Sequence, residues 1–522
     1  MKNIVFSLLL GVVSNVMNSQ DAFISNEPNE ISTSNEIIEL NDKYTIASTG
    51  INSKLSDIGS TFFMNKYIMY SSRKTGAIGA GRDVNTENPY NALYCMNMDK
   101  NGNLSHPYFF ASVLDSKGNE GGLAFTPDEK TLYFTKSGEN NSKNYQLYKR
   151  VFDESCRCTW IQETLIPFSN ESYSIENPSV SPDGKKLYFS SNMPGGFGGY
   201  DLYVAEINAE GQPVNPVNLG KNINTSSDEK FPYIAGNNKD IYFSSNGHNG
   251  YGNQDVFVAK IRKSGYSTPL NLGKTINSAA DEIAFILANQ TKGFFTSDRN
   301  GGLGLYDIYR FDLQKTPISL QGMAHEKVSK IALPNTQLIL IDENGKEVQK
   351  QLTDEQGNYK FNVEPLETYS IVAQKEGYNA FELPLTTSPG NSFTNIALDQ
   401  KKAEVTKEAI LVENIYFEYN KASLKKESTL SLNKIYEVLI NNPEMKISIN
   451  AHTDSRGSEK YNQALSDKRA TSASQYLIKK GIDSNRISPK GFGESSPLSS
   501  CKENCTEKEY DADRRIEFLI IE

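Results

Sequence analysis

Hydrophobic and polar positions alternate with a period of two along most of the first 315 residues, and a helical spacing replaces that pattern only after Ala409. The alternating stretches come in copies. SPDGKKLYFSSNMPGGFGGYDLYVAEI (Ser181 to Ile207), DIYFSSNGHNGYGNQDVFVAKI (Asp240 to Ile261) and KGFFTSDRNGGLGLYDIYRFDL (Lys292 to Leu313) follow one template, and two fainter copies begin at Lys66 and Thr126. The aligned aromatics Tyr70, Phe134, Phe189, Phe243 and Phe295 recur every 52 to 64 positions. Each copy predicts a strand, a Gly-rich turn and a second strand. A linker ending in NLGKNINTSSDE (Asn218 to Glu229) or NLGKTINSAADE (Asn271 to Glu282) then leads to the next copy. One such unit cannot bury its own apolar face, so repetition at this period predicts an all-β propeller of five blades over residues 61–315. Residues 21–60 are left over, and Glu39 to Phe63 is expected to close the ring.

The template stops at Leu313. Residues 316–399 keep the period-two alternation in TQLILID (Thr336 to Asp342), GNYKFNV (Gly357 to Val363) and TYSIVAQKEGY (Thr368 to Tyr378), with turn residues at Asn344-Gly345 and Asp354 to Gly357. That pattern predicts a small β-sandwich. Residues 400–408, polar and Lys-rich, read as a linker. From 409 to 522 the order is strand (Ile410 to Asn420), helix (Ser423 to Asn441, with Leu432, Ile435 and Leu439 in phase), strand (Met445 to Thr453), helix and final strand (RRIEFLIIE). The second helix is marked by Tyr461, Leu465, Ala473 and Leu477 and closes near Gly481. This order predicts a C-terminal α/β sandwich, giving a multidomain chain.

Composition narrows the function classes. The net charge is -9, which disfavours nucleic acid and anionic lipid as partners. Residues 1–20 carry one Lys, an apolar run from Ile4 to Val13 and small polar residues, the pattern of a signal peptide cleaved near Ser19 or Gln20. No later segment has the run of about 18 apolar residues that a membrane helix needs, nor does a series of lipid-facing strands precede the last domain. An exported chain permits disulfides, and the five cysteines leave at least one unpaired. Cys501 and Cys505 flank a short loop and are expected to bridge; Cys95, Cys156 and Cys158 stay unassigned. With four His and no CxxC pair, no metal or other cofactor is expected. Asp201, Asp255 and Asp307 recur just before the second strand of their copies, a placement expected of turn-capping carboxylates rather than a ring of ligands.

The copies, with the turn Pro182-Asp183-Gly184, resemble WD-type β-propeller repeats, and TDEQGNYKF with YSIVAQKEGY resembles the carboxypeptidase regulatory-like domain. YFEYNKASL, AHTDSRGSEKYNQALSDKRA, YLIKKGI, RISPKGFGESSP and DRRIEF resemble the OmpA-like peptidoglycan-binding domain. Ala451, Glu418 and Asp513 depart from that family's usual residues without removing its key charges. The resemblance implies binding to the diaminopimelate of peptidoglycan stem peptides. Asp454 would take the ammonium and Arg469 the carboxylate of that amino acid. Thr453, Tyr461, Asn462 and Leu465 would line the loop, and Phe417 would belong to a neighbouring wall (Tyr416 to Tyr419). Of Arg514 and Arg515, neighbours on a strand, one would brace the site while the other faces solvent, and Arg514 is taken as the site residue. On spacing alone, Asp454 and Arg469 would read as a surface ion pair. The modular order resembles envelope proteins of the Bacteroidetes, some of which accompany type IX secretion and gliding machinery. The expectation is a non-enzymatic periplasmic protein tied to wall and outer membrane, with an outer-membrane protein as partner. An envelope hydrolase or lyase with its active site in the propeller is the competing class. A further possibility is a stator-like anchor whose propeller is a passive spacer.

Overall fold

The computed structural model describes residues 37–72, 89–110, 119–138, 141–153, 159–413, 415–418, 421–425, 428–499, 501 and 505–521. The proposed signal peptide and Cys156 and Cys158 lie outside them. The chain divides into two compact units, Met1–Thr316 and Pro317–Glu522.

The first unit holds five separate antiparallel sheets. They begin with Asp57–Phe63, Glu120–Phe125, Ile175–Val180, Glu229–Ile234 and Glu282–Leu287, and each continues through the two strands of one sequence copy. The recurring aromatics pair across these strands: Phe189 faces Tyr203, Phe243 faces Phe257 and Phe295 faces Tyr309, with ring centroids 5.8, 6.0 and 5.6 Å apart. Such offset contacts add to the burial of each ring. The fifth sheet takes its outer strand from the start of the chain, where Lys43–Ser48 runs antiparallel to Asp307–Gln314.

The recurring polar residues join one sheet to the next. The backbone N–H of Glu229 donates to the Tyr200 carbonyl (2.7 Å), that of Glu282 to the Gln254 carbonyl (2.6 Å) and that of Asp57 to the Tyr306 carbonyl (2.9 Å). The asparagines of the linkers clasp the sheet before them by both ends of the amide. Asn224 bonds the N–H and carbonyl of Leu202 (2.8 and 3.0 Å), Asn277 those of Val256 (2.8 and 2.9 Å) and Asn52 those of Ile308 (2.9 and 3.1 Å). The fifth sheet is thereby bonded to the first. Ser60 Oγ accepts from Leu123 N (2.9 Å) and Ser174 Oγ from Tyr145 N (2.9 Å), linking the first sheet to the second and the second to the third. The five leading strands surround one narrow cavity of about 90 Å³.

Asp201, Asp255 and Asp307 occupy equivalent places. Asp201 accepts from Phe197 N (2.5 Å) and Gly198 N (3.0 Å), Asp255 from Tyr251 N (2.5 Å) and Gly252 N (3.2 Å), and Asp307 from Leu303 N (2.5 Å) and Gly304 N (3.2 Å). These carboxylates hold the Gly-rich turns. The loop histidine His248 likewise closes a gap, its Nε2 lying 2.8 Å from the Ile223 carbonyl.

In the second unit, residues 318–398 form two sheets around a core that includes Leu320, Leu340, Phe361 and Ile371. Residues read as a linker do not hang free. Glu404–Val405 pairs with Ala409–Leu411 as the edge of a five-stranded sheet that continues through Ile516–Ile521, Lys446–His452 and Ile487–Gly493. The expected strand over Ile410 to Asn420 shrinks to Ala409–Leu411. After Leu411 the chain turns away to lay Ile415 into the core and Phe417 against it. Helix α1 (Ser428–Asn441) and helix α2 (Glu459–Lys479) cover the sheet through Leu432, Ile435, Leu439, Ala473 and Leu477. A short helix α3 (Glu507–Asp513) precedes the last strand. Its sequence, EKEYDAD, has no apolar periodicity. The legible signal is the capping box in which Thr506 and Glu509 bond each other's backbone N–H.

Helix α2 is capped by Ser458, whose Oγ accepts from the Tyr461 N–H. Ser458→Ala should destabilise the second unit by about 1 kcal/mol in urea titration, the usual cost of losing such a cap.

Candidate functional site

The end of strand Lys446–His452, the start of α2 and the chain before Ile516 meet at a cleft of about 420 Å³. Thr453, Asp454, Tyr461, Leu465, Arg469 and Arg514 line it, together with Asn462 and Phe417. The structure therefore brings together all eight site residues expected from the sequence.

Their contacts are uneven. Asp454 is buried, and its Oδ2 lies 2.7 Å from Arg456 Nη2 and 2.5 Å from Arg514 Nη1. Its Oδ1 accepts the Arg456 backbone N–H at 3.1 Å. Burial alone would raise the carboxyl pKa, but the bonds from Arg456 and Arg514 outweigh it and hold the group below the usual aspartate value. Its contribution to stability is thus complete above the ordinary value of 3.8 and lost as the pH falls through the lower folded value. Asp454→Asn should flatten that acid limb of the second unit's stability curve, read by denaturant midpoints between pH 2 and 5.

Arg469, on α2, meets no carboxylate among the described residues. Its guanidinium lies 5.0 Å from the centre of the Phe417 ring, and its Nε donates to the Lys421 carbonyl at 3.3 Å. Burial, and then the nearby charge of Arg514, disfavour its protonated form. A guanidinium so placed has donors to spare for an incoming carboxylate.

Asn462 is a brace. Buried beneath the loop, its Nδ2 bonds the carbonyls of Asp454 (3.2 Å) and Arg456 (3.3 Å) and the carboxylate of Glu494. Thr453 Oγ1 is buried beside the cleft with no hydrogen-bond partner among the described residues. Tyr461 is exposed at the rim, and Leu465 is half-buried. His452 stacks on Phe492 with centroids 5.2 Å apart, and burial lowers its pKa.

Arg514 and Arg515 do not alternate as strand neighbours, because the strand begins only at Ile516 and Arg514 caps α3. The expected split, one arginine bracing the site and the other facing solvent, does not hold for that reason: Arg515 is the more buried of the two. Its side chain is 11% exposed, less than the 26% of Arg514, and its Nε bonds Glu517 at 2.8 Å. Asp513 accepts from the N–H groups of Leu498 and Ser499 and from the Ser499 hydroxyl, fixing the loop behind the site. Arg456, Glu507 and Asp511 were not singled out in the sequence. Glu507 binds both Arg456 (3.1 Å) and Arg514 (2.9 Å), so α3 supplies the acids that offset the two arginines gripping Asp454. Cys501 and Cys505 form a disulfide just before α3. Cys95 is a buried free thiol, its pKa raised by that burial. Among the described residues no cluster of three His, Cys, Asp or Glu could hold a metal ion, and no helix is long and apolar enough to cross a membrane.

Residues 416–510 match the OmpA family. Outer membrane protein A of Klebsiella aerogenes is 44% identical over 96 residues, which are 18% of this chain and 27% of that protein. Outer membrane protein A of Citrobacter freundii is 44% identical over 96 residues, 18% of this chain and 40% of the relative. The chain thus spans less than half the length of these curated relatives. The crystal structure of the peptidoglycan-associated lipoprotein from Burkholderia pseudomallei aligns over 21% of this chain and 91% of its own, at 24% identity and a TM-score of 0.20. The C-terminal segment that carries the cleft is therefore an OmpA family domain.

Proposed function

We propose that the chain is a non-enzymatic envelope protein whose C-terminal domain binds peptidoglycan through the free α-amino acid end of diaminopimelate. The observation that carries this reading is Arg469, a guanidinium without a carboxylate partner among the described residues, lining the cleft that holds Asp454. The ligand end has a carboxylate beside an ammonium. Arg469 takes the carboxylate in a bidentate fork. Asp454 meets the ammonium through Oδ1, which carries a single backbone hydrogen bond, while Arg456 and Arg514 fix its Oδ2. The clamp is thus asymmetric: among the described residues one charge has no opposite partner, and the other is held in place by two guanidiniums. Thr453 Oγ1 offers a further polar contact at the cleft wall.

The first unit is read as a five-bladed propeller. Five separate sheets, bonded in cyclic order and closed by the Lys43–Ser48 strand, support that reading. The sandwich is read as a regulatory-like module beside the wall domain, and both as surfaces for an outer-membrane or secretion partner in the periplasm. Co-sedimentation of the full chain with purified sacculi tests the wall-binding step. Saturable binding competed by free diaminopimelate supports it, and binding indifferent to that competitor overturns it.

A further inference from the structure

The leading strands of the first unit also open onto a wider mouth, a cleft of about 370 Å³ lined by residues of all five sheets. Three carboxylates stand there, Glu176, Asp228 and Asp281, against a single cation, Lys230, among the described lining residues. That cation is occupied. Its ammonium pairs with Glu176 at 2.9 Å and lies 3.8 Å from the centre of the Tyr200 ring.

The other acceptors are in surplus. Asp228 Oδ1 takes the Tyr200 N–H at 2.8 Å, while its Oδ2 receives no donor among the described residues. Gln254 Oε1 is buried without a donor among the described residues. Asp281 accepts one bond at each oxygen, from the Gln254 N–H (3.1 Å) and the Tyr306 hydroxyl (2.8 Å), and each oxygen keeps a free lone pair. Rings of Tyr70 and Tyr306 complete the wall. Carboxylate oxygens with unused acceptor capacity beside aromatic rings form a site for a group rich in N–H donors and positively charged. The pairing of Lys230 with Glu176 and Tyr200 shows the same chemistry built from the chain's own residues.

Exposed apolar residues lie close by along the chain. The Gly-rich loops that lead to Tyr200 and Tyr306 carry Phe197 and Leu303 at matching positions, 53% and 67% exposed. An unaided small cation would leave these side chains in water. A chain with apolar residues flanking a basic one would cover them.

We propose that this mouth binds an extended polypeptide of a partner by taking an arginine or lysine side chain between Asp228 and Asp281. The proposal stands apart from the wall-binding reading. The test uses the full chain and a fluorescein-labelled peptide, Gly-Leu-Arg-Leu-Gly, followed by anisotropy. Matched peptides carry citrulline or glutamate in place of arginine, and spermidine and maltohexaose serve as competitors. Saturable binding of the arginine peptide, at least tenfold tighter than the citrulline peptide, is expected. Asp228→Asn with Asp281→Asn should weaken it at least tenfold. Both changes keep the Oδ1 that accepts the backbone N–H, and an unchanged thermal midpoint and unchanged sedimentation with sacculi show that the fold and the wall site survive. Equal binding of the citrulline peptide, or binding unmoved by the double substitution, overturns the proposal. So does displacement by maltohexaose, which marks a glycan site, or by spermidine at equal charge concentration, which marks a polyamine site.

Discussion

Replacing Arg469 by alanine should lower the affinity of the full chain for sacculi by well over tenfold in co-sedimentation. The substitution deletes the one guanidinium of the cleft that has no carboxylate partner among the described residues, so the ligand carboxylate would be desolvated against nothing. Truncating one side of such a pair costs on the order of 2–5 kcal/mol. Arg469→Lys should recover only part of the loss, because an ammonium presents a point charge where the carboxylate needs a fork. Asp454→Ala should reach a similar loss by a different route. It removes the ammonium acceptor and also leaves Arg456 and Arg514 without the oxygen they share. The two routes separate experimentally: Asp454→Ala should shift the unfolding midpoint of the second unit, and Arg469→Ala should leave it nearly unchanged. Sedimentation unaltered in both variants would place the wall contact elsewhere.

The second large effect concerns the junction between the last and first sheets. A β-carbon on Gly304 would stand 1.8 Å from the Leu55 carbonyl oxygen and 2.8 Å from that of Ser53. Both are backbone atoms, so no side chain can rotate out of the way. Gly304→Ala should destabilise the first unit by about 1–3 kcal/mol, the usual range for forced overpacking, seen as a lower calorimetric midpoint. Gly236→Ala is the matched control. A β-carbon there meets nothing within 4 Å, so its effect should be close to zero. Equal shifts in the two variants would mean that the junction tolerates rearrangement.

The same geometry explains why so much of the first unit was legible. Gly198 and Gly252 sit in the equivalent loops, where a β-carbon would fall 2.0 Å from the Ser227 carbonyl and 2.2 Å from the Ala280 carbonyl. One steric demand, repeated at each junction, writes the same glycine into each strong copy. The asparagines of the NLG linkers repeat because each clasps a strand of the sheet before it. In the copy that begins at Thr126 a serine takes the asparagine's part, Ser169 Oγ accepting the Leu147 N–H at 2.9 Å, so the template is fainter there. The C-terminal cleft was legible in its residues but not in its pairing. Arg456 lies two positions from Asp454, and nothing in the spacing says that its side chain folds back onto that carboxylate. The part played by Glu507 depends on α3, whose only sequence signal is a capping box. The strand predicted over Ile410 to Asn420 failed because an alternating pattern reports burial on one side, and Ile415 and Phe417 reach the core from irregular chain as well.

The strand Lys43–Ser48 has a mechanical corollary. Lys43 lies opposite Gln314, where the Thr316 N–H also bonds Asp42 at 2.8 Å, and just before it Ile38 and Leu40 bond Asn271 of the fourth sheet. Tension applied between the segments on either side would, once the two bonds to Asn271 give way, peel this ladder rung by rung instead of loading all its bonds at once. A tether carrying force would hold longest if its load entered through the face of the body, bypassing that seam.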